Sequence, residues 1–308
     1  MTPIWDAEAV LAASNVWAWV PDDARHVQCE EYLVVAYPDY FLTPTSARVF
    51  GSDRDAVELV DEICAIAIGW GRDRLWWRLS DSTRPAGLEP ELLSRGAGLV
   101  DRMDVLALPL AEGVPDLGVP EHVEVRRVTD EQTVRDAIVI GNDAFGGEDP
   151  TPVQVASGLA EVERGLGDGS SGRWVAYVEG RPAGTGGYTL AGEVCRLWGG
   201  STHGSLRGRG AYRAVLEARL RAARAAGASL ALTHGVVDTS SPILRRIGFT
   251  RYGGSAPMAR ARCWTYSKTS SVGSSGCTCD WGDPSMCTVT PPRSSHSSVT
   301  WSSLTARL

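Results

Sequence analysis

The sequence has no apolar stretch of about 18 or more residues, and it does not open with a basic segment followed by an apolar one. A membrane-spanning helix needs the first feature, and a secretory signal needs the second. An excess of positive charge is missing too, since the formal net charge is −7 at pH 7. Nucleic-acid-binding proteins neutralise phosphates with Lys and Arg side chains. We therefore expect a cytoplasmic protein that binds neither membrane nor nucleic acid.

Cysteine is also scarce, with seven in 308 residues. Four are scattered and fit the reduced thiols of a cytosolic protein: Cys29, Cys64, Cys195 and Cys263. The other three lie near the C-terminus together with His296, at Cys277, Cys279 and Cys287. Their spacing matches no standard zinc finger or ribbon, so we expect no metal site.

The last 43 residues differ in composition from the rest of the chain. From Tyr266 onward Ser and Thr dominate, acidic residues almost vanish, and neither a helical nor a strand period survives. Such a composition predicts a disordered tail over residues 266–308. A natural extension and a reading-frame artefact both explain the change.

A turn rich in Arg and Gly precedes a long Ala/Leu/Arg helix at residues 206–214. The first N–H groups of a helix lack intrahelical partners and carry the positive end of the helix dipole, so glycines there let a diphosphate contact the backbone. The turn lacks the Lys-Ser/Thr of a P-loop, and no strand-GxGxxG with a later acidic residue is present. The pattern predicts an anion site for a ligand other than ATP or NAD, and we call residues 206–210 the phosphate turn.

The flanking segments predict an alternation of strands and helices. Residues 193–203 are typical of a strand with glycines in its second half, where a bulge or a close backbone approach is expected. Residues 211–226 are typical of a helix that Gly227 ends, and residues 229–237 of a second buried strand. A short helix over 243–247 follows and ends at Gly248-Phe249.

These motifs resemble the GNAT superfamily of acyl-CoA-dependent N-acetyltransferases. The family's pyrophosphate loop is Arg/Gln-x-x-Gly-x-Gly/Ala, and Arg207-Gly208-Arg209-Gly210-Ala211-Tyr212 is similar to it, with Tyr212 in the last position. Residues 239–249 are similar to its second signature, the helix that closes on Gly-Phe, and residues 123–130 and 173–188 to its opening strand and central hairpin. The resemblance spans residues 121–258 and implies a twisted mixed α/β sheet flanked by helices.

The resemblance also implies a function. Acetyl-CoA would lie between two splayed parallel strands and donate its acetyl group to the primary amine of a small molecule or peptide. The residues implied in cofactor binding are Thr202, His203, Arg207, Gly208, Arg209, Gly210, Ala211, Tyr212, Ser240 and Ser241. The oligomeric state implied is a monomer or a homodimer.

The acid and the base of such a reaction are less clear in this sequence. Many relatives carry a Tyr that acts as the general acid at the position of Leu244. Tyr212 or water is therefore the candidate that protonates the leaving thiolate, although packing also explains the position of Tyr212. Glu193 and His203, at the two ends of the predicted strand, are the candidate bases, and each is also explained as a surface group. His234 is expected to be satisfied locally.

Three acidic residues follow the first helix of this region, at Asp143, Glu148 and Asp149. Relatives shape the acceptor pocket there, and these carboxylates suit a cationic amine, although solvation explains them as well. The arginines of the helix after the phosphate turn are expected to form a solvated face, in which Glu217 stands four residues from Arg213 and Arg221.

The N-terminal third repeats the ending of the GNAT-like region. A strand over 74–79, a helix over 91–100 and a strand over 101–108 parallel residues 243–252. No phosphate turn of the right spacing appears before residue 100. We expect a tandem GNAT-like arrangement with a degenerate first copy, an unrelated α/β cap being the alternative.

The length of the chain indicates about two domains. A Gly/Pro-rich segment predicts a division into a degenerate GNAT-like domain over 1–112, a linker over 113–120, a catalytic domain over 121–265 and the tail. The function expected is that of an N-acetyltransferase. An acyl-CoA-binding sensor without turnover and a scaffold that binds no CoA are the alternatives.

Overall fold

The computed structural model describes residues 5–21, 24–38, 45–81, 83–99, 101–254 and 258–262. This part of the chain forms two mixed β-sheets with helices packed on them, which confirms the predicted fold class. The helices are α1 (Ala7–Asn15), α2 (Ala56–Gly69), α3 (Leu88–Ser94), α4 (Glu131–Phe145), α5 (Pro152–Asp168), α6 (Ala211–Ala225) and α7 (Ser240–Ile247). The strands are β1 (Arg25–Gln28), β2 (Tyr32–Ala36), β3 (Thr45–Val49), β4 (Arg74–Arg78), β5 (Gly98–Leu99), β6 (Met103–Pro109), β7 (Val123–Arg127), β8 (Ser171–Val178), β9 (Arg181–Ala191), β10 (Val194–Thr202), β11 (Leu230–Val236), β12 (Thr250–Gly253) and β13 (Met258–Arg262).

The first sheet has the order β1-β2-β3-β4-β13-β5. Strands β3 and β4 run parallel, whereas the other neighbouring pairs are antiparallel. Helix α2 covers one face, and its Leu59 and Ile63 pack with Leu75 and Trp77 in a buried core. The side chain of Asp55 caps this helix by accepting a hydrogen bond from the Val57 amide at 2.8 Å.

The second sheet has the order β12-β6-β11-β10-β9-β8-β7 and holds the GNAT-like region. Helix α6 packs on one face, where Val215 and Leu220 are buried. Helices α4 and α5 pack on the opposite face through Val134, Ile140 and Val155. The alternation of β8 side chains between these two cores follows from the period of two along a strand.

The two halves of the chain exchange a strand. Strand β6 precedes the predicted linker but lies between β11 and β12 of the second sheet, and β13 lies between β4 and β5 of the first. The predicted domain boundaries had assigned β6 to the N-terminal domain and β13 to the C-terminal one. The sequence of a strand carries no local signal for which of two sheets it joins, so this exchange escaped the sequence analysis.

None of the helices in the described ranges is long and apolar enough to cross a membrane. The predicted Ser/Thr-rich tail, Cys263 and the C-terminal cluster of Cys and His lie outside the described residues. The predicted disorder of the tail therefore stays a prediction.

Candidate functional site

Strands β10 and β11 separate partway along their length. They pair in parallel at three positions, the last of which joins Arg196 to Leu232. Further on, the pairing of β10 with β9 is interrupted between Trp198 and Ser201, and Gly199 there has a φ of 61°. A bulge was predicted from these glycines and is confirmed. The result is an opening between two parallel strands at the centre of the sheet.

A pocket occupies this opening, and we call it the strand pocket. Its lining residues are Leu197, Trp198, Gly199 and Gly200 of β10, Tyr212, Leu216 and Arg219 of α6, Thr233 and His234 of β11, and Leu244 of α7. Leu244 stands where many relatives have an acidic Tyr, so the pocket wall carries no hydroxyl at that point.

The Arg/Gly turn joins the end of β10 to α6 through a short 3₁₀ helix, Gly204–Leu206. Gly208 and Gly210 have φ values of 77° and 91°, a left-handed conformation that glycine adopts without strain. No side chain caps α6, so the first N–H groups of this helix remain available to an anion. A Cβ at Gly208 would meet no atom within 4 Å, which leaves that side of the turn open.

Gly210 has a second role in packing. A Cβ there would lie 2.5 Å from Cδ of Pro120, so glycine lets the turn pack against the segment that precedes β7. The arginines of the turn are both exposed. Arg209 pairs with Glu179 at 3.0 Å, while the side chain of Arg207 makes no hydrogen bond or ion pair with the described residues.

His203 and Asp143 meet at the end of β10. Nε2 of His203 lies 3.7 Å from Oδ1 of Asp143, and Oδ2 of Asp143 accepts a hydrogen bond from the Gly204 amide at 2.7 Å. Nδ1 of His203 lies 3.3 Å from the Ser205 amide. The carboxylate of Asp143 therefore holds the backbone that leads from β10 into the phosphate turn. The other two acidic residues of this region, Glu148 and Asp149, are exposed on the loop beyond, where solvation explains them.

The two ends of β10 differ in whether their polar side chains already have hydrogen-bond partners. Thr202 Oγ1 and Ser201 Oγ are buried and have no hydrogen-bond partner within the described residues, as expected beside a polar ligand. Glu193, at the other end, accepts a hydrogen bond from Ser229 Oγ at 2.8 Å. Glu193 precedes Leu197, the first residue of β10 that lines the pocket, by four residues, about 13 Å at 3.3 Å per residue. Glu193 is therefore too far from the pocket to take a proton there directly.

Ser240 and Ser241 do not face the phosphate turn with free hydroxyls. Ser240 Oγ accepts a hydrogen bond from the Val236 amide at 2.7 Å, and Ser241 Oγ donates to Oδ2 of Asp104 at 2.6 Å. Both serines are fully buried, at 0% and 1% exposure. They anchor α7 to strands β11 and β6, so their predicted role in cofactor binding has no support.

Two side chains of α6, Tyr212 and Arg219, line the strand pocket. Tyr212 lines the strand pocket, and burial raises the pKa of its hydroxyl, with Arg219 opposing that effect. Arg219, expected on a solvated face, is only 2% exposed and donates through Nη1 to the carbonyls of Gly187 (3.2 Å) and Trp198 (3.3 Å). Its spacing from Val215 and Leu216, four and three residues, places it on the buried stripe and could have revealed this.

The other arginines of α6 make specific contacts. Arg221 pairs with Glu217 at 2.7 Å, as predicted, but Arg213 donates to the carbonyl of Leu117 instead. His234 is another correction, because its Nε2 lies 2.7 Å from Ser14 Oγ, far away in the sequence, and its ring stacks on Trp17 at 5.0 Å.

A family model describes this region. Residues 143–249 match the model of the acetyltransferase (GNAT) family. The matched segment, residues 143–249, is called the GNAT domain below. The GNAT domain thus contains the strand pocket, the phosphate turn and α6. No group of His, Cys, Asp and Glu side chains suited to a metal occurs in the described part of the chain.

Solved structures share the fold of both halves. A GCN5-related N-acetyltransferase from Kribbella flavida is 20% identical, with a TM-score of 0.58 over 82% of this chain and 94% of that one. A second, from Sphaerobacter thermophilus, is 17% identical, with a TM-score of 0.57 over 84% and 86%. A tandem GNAT protein from the clavulanic acid biosynthesis pathway is 16% identical, with a TM-score of 0.54 over 86% and 90%. The fold is therefore the predicted tandem GNAT-like one. No curated protein sequence matched the chain.

Proposed function

We propose that the protein is an N-acetyltransferase that transfers an acetyl group from acetyl-CoA to a primary amine. The observation that carries this proposal is the uncapped N-terminus of α6, which follows a glycine turn at the end of a strand that separates from its parallel neighbour. Acetyl-CoA supplies the acetyl group as an activated thioester. The backbone N–H groups of residues 208–212 would hold its diphosphate, and the exposed guanidinium of Arg207 would add a charge-assisted contact.

The strand pocket suits the reaction at the thioester. The pantetheine would run along β10, where the buried hydroxyl of Thr202 lacks a partner among the described residues. A backbone N–H at the bulge would polarise the thioester carbonyl. The amine would attack the carbonyl carbon, forming a C–N bond, and the C–S bond would break with its electron pair on sulfur. The ammonium proton would pass to His203 or water, and Tyr212 or water would protonate the thiolate.

The N-terminal half is proposed to bind no CoA. Helix α2 connects the parallel strands β3 and β4, as α6 connects β10 and β11, but α2 carries a carboxylate at its N-terminus. Asp55 caps the helix and Glu58 stands in its first turn. These negative charges occupy the place where a diphosphate would bind and would repel it.

A second function stays open because of Leu244. The wall of the strand pocket lacks the hydroxyl that many relatives use to protonate the thiolate, which favours a protein that binds acyl-CoA without turnover. Release of CoA thiol in the presence of amines distinguishes this sensor from the enzyme, while CoA binding alone is common to both.

The first test substitutes Gly208, whose open side faces no protein atom. In Gly208→Asp a carboxylate would stand against the diphosphate, and Gly208→Asn is the matched control, since both residues tolerate the left-handed conformation and differ in charge. We expect calorimetric titration to show acetyl-CoA binding that Gly208→Asp weakens at least tenfold relative to Gly208→Asn. Equal affinities of the two variants would remove the phosphate turn from the site. Gly210 is unsuited to this test because any side chain there meets Pro120.

A further inference from the structure

His234 lies where the two central strands of the second sheet have separated. The last paired position joins Arg196 of β10 to Leu232 of β11, and His234 comes two residues further along β11. Two residues beyond Arg196 on the other strand is Trp198, where the bulge begins. Both His234 and Trp198 line the strand pocket. The imidazole and the bulge therefore stand at the same level on opposite sides of the opening.

The side chain of His234 extends from the face of the sheet opposite α6. Side chains alternate along a strand, so His234 shares a face with Leu230 and Leu232. Both leucines pack with Val10 and Trp17 in a core that is separate from the one under α6. The imidazole stacks on Trp17, with 5.0 Å between the ring centroids. The fold thus places a polar ring at the edge of an apolar core and beside the pocket.

The two nitrogens of this ring differ in their surroundings. Nε2 of His234 lies 2.7 Å from Oγ of Ser14, a residue of α1 that is 4% exposed. Nδ1 is also buried, but it has no hydrogen-bond partner in the part of the chain described. Buried polar atoms are normally hydrogen-bonded, so an open one on a residue that lines a pocket indicates contact with a ligand.

The contact with Ser14 indicates which nitrogen of His234 carries the proton. A neutral imidazole donates from one nitrogen and accepts at the other. If Nε2 donated to Ser14, the Ser14 hydroxyl hydrogen and the Nδ1 lone pair would both lack a partner among the described residues. If Ser14 donates to Nε2, only the hydrogen on Nδ1 lacks one. The second arrangement leaves fewer buried groups unpaired, and it presents Nδ1 as an open donor.

The charges around His234 favour a negative group beside it. Burial and the charges of Arg48, Arg78 and Arg196 lower the pKa of the ring to about 3, so the ring is neutral at neutral pH. The same positive charges stabilise a negative charge that develops next to the ring. A neutral imidazole is able to donate to a carbonyl oxygen as that oxygen becomes negative. These surroundings therefore suit an oxyanion rather than an ammonium group.

We propose that Nδ1–H of His234 donates a hydrogen bond to the thioester oxygen of acetyl-CoA during acetyl transfer. This inference rests on the proposed function. As the amine forms the C–N bond, the π electrons of the carbonyl move onto the oxygen, and they return when the C–S bond breaks. A backbone N–H of the bulge and the imidazole of His234 then bind this oxygen from the two separated strands. His234 keeps its proton throughout.

The first experiment determines the tautomer of His234 by NMR. The full-length protein is prepared with isotope-labelled histidine, and His234→Asn identifies the ring signals. We expect the proton on Nδ1 at neutral pH, and we expect acetyl-CoA, but not CoA, to shift the Nδ1 resonance, because CoA lacks the carbonyl. Ser14→Ala removes the partner of Nε2 and should admit the other tautomer. A wild-type ring that is protonated on Nε2 would overturn the inference.

The second experiment compares two amide variants. The side-chain nitrogen of Asn lies as many bonds from Cβ as Nδ1 of His does, and that of Gln as many as Nε2. His234→Asn therefore keeps a donor at the position of Nδ1, whereas His234→Gln keeps only the contact with Ser14. We expect His234→Gln to lower kcat for thiol release roughly 100-fold to 1,000-fold with little change in KM, as loss of one oxyanion donor predicts.

Two comparisons control for a structural role. His234→Asn should be markedly more active than His234→Gln, although it loses the contact with Ser14. His122→Gln, on an exposed histidine that precedes β7, should leave thiol release unchanged. If the two variants of His234 fail to fold, Ser14→Ala identifies the ring signals, and the response of the wild type to acetyl-CoA decides the result.

The outcomes separate this inference from the proposed function. Equal kcat values for His234→Asn and His234→Gln, with no response of the ring to acetyl-CoA, would overturn the contact and leave the enzyme. A response to acetyl-CoA but not to CoA, in a protein that acetylates no amine, would support the contact and overturn the enzyme. A protein that does not bind acetyl-CoA would overturn both.

Discussion

Arg219 shows how a single side chain shapes the site. It extends beneath β9 and β10, where glycines leave room for it: a Cβ at Gly186 would lie 2.8 Å from Arg219 Cζ, and one at Gly200 would lie 3.4 Å from Nη2. By donating to the Trp198 carbonyl, Arg219 holds the strand at the start of the bulge. A buried guanidinium thus fixes the backbone that borders the strand pocket.

His234 is the residue whose titration should govern stability in mild acid. Burial and the charges of Arg48, Arg78 and Arg196 lower its pKa to about 3, from an ordinary value of 6.5. The unfolded chain therefore takes up a proton on this ring below pH 6.5, while the folded protein does not until about pH 3. The stabilising effect of the neutral ring is present above pH 6.5 and is lost as the pH falls toward 3.

We expect the free energy of unfolding to fall by about 2 kcal/mol between pH 6.5 and pH 5 through His234 alone. Urea unfolding gives the free energy of unfolding of the wild type and of His234→Gln at both pH values. The contribution of His234 is the amount by which the wild type loses more stability between pH 6.5 and pH 5 than the variant does. An equal loss of stability in the two proteins would show that His234 does not titrate as described.

At the scale of secondary-structure elements, local features were predictable and distant partners were not. The turn at Gly208, the bulge at Gly199 and the end of α7 at Gly248 follow from backbone rules that act within a few residues. The sequence could not show that Asp104 engages Ser241, or that Ser229 holds Glu193, because those partners come from distant strands. Through these hydrogen bonds, Ser241 and Glu193 are engaged within the protein rather than available to a ligand.

The bulge on β10 permits a matched comparison of two glycines. Gly199 lies beside the strand pocket, whereas Gly192 lies in the turn between β9 and β10, and their φ values are 61° and 57°. A Cβ at either position meets no atom within 4 Å. Alanine at each should therefore reduce stability by a similar amount, about 1–2 kcal/mol for the left-handed conformation.

We expect only Gly199→Ala to reduce acetyl transfer, because it alters the backbone proposed to polarise the thioester. Thermal unfolding and thiol-release rates of Gly199→Ala and Gly192→Ala check this. Equal rates in the two variants would separate the bulge from catalysis.

At the scale of the whole molecule, the exchange of β6 and β13 ties the two halves together. Strand β6 fills the second sheet between β11 and β12, and β13 fills the first between β4 and β5. The repeat seen in the sequence predicted two similar halves, but it did not predict that each half supplies a strand to the sheet of the other. Periodicity identifies a strand, whereas its partner sheet depends on contacts between residues far apart in the chain, such as Arg78 and Met258.

Two truncations test this interdependence. A chain of residues 1–265 keeps every described element and should fold and bind acetyl-CoA like the full-length protein. A chain of residues 1–254 lacks β13, leaves the facing edges of β4 and β5 unpaired, and should lose cooperative unfolding and solubility. Circular dichroism during heating and calorimetric titration compare them. Loss of CoA binding in the chain of residues 1–265 would instead give the Ser/Thr-rich segment a role.

The exchange of strands also determines when the first sheet can be completed during synthesis of the chain. A ribosome releases β4 and β5 long before β13, so the first sheet has a gap between them until almost all of the GNAT domain has been made. Open strand edges invite pairing with other chains, and incomplete domains are prone to aggregate. The N-terminal half is therefore the part of this protein that most needs a chaperone while translation continues, although it is made first.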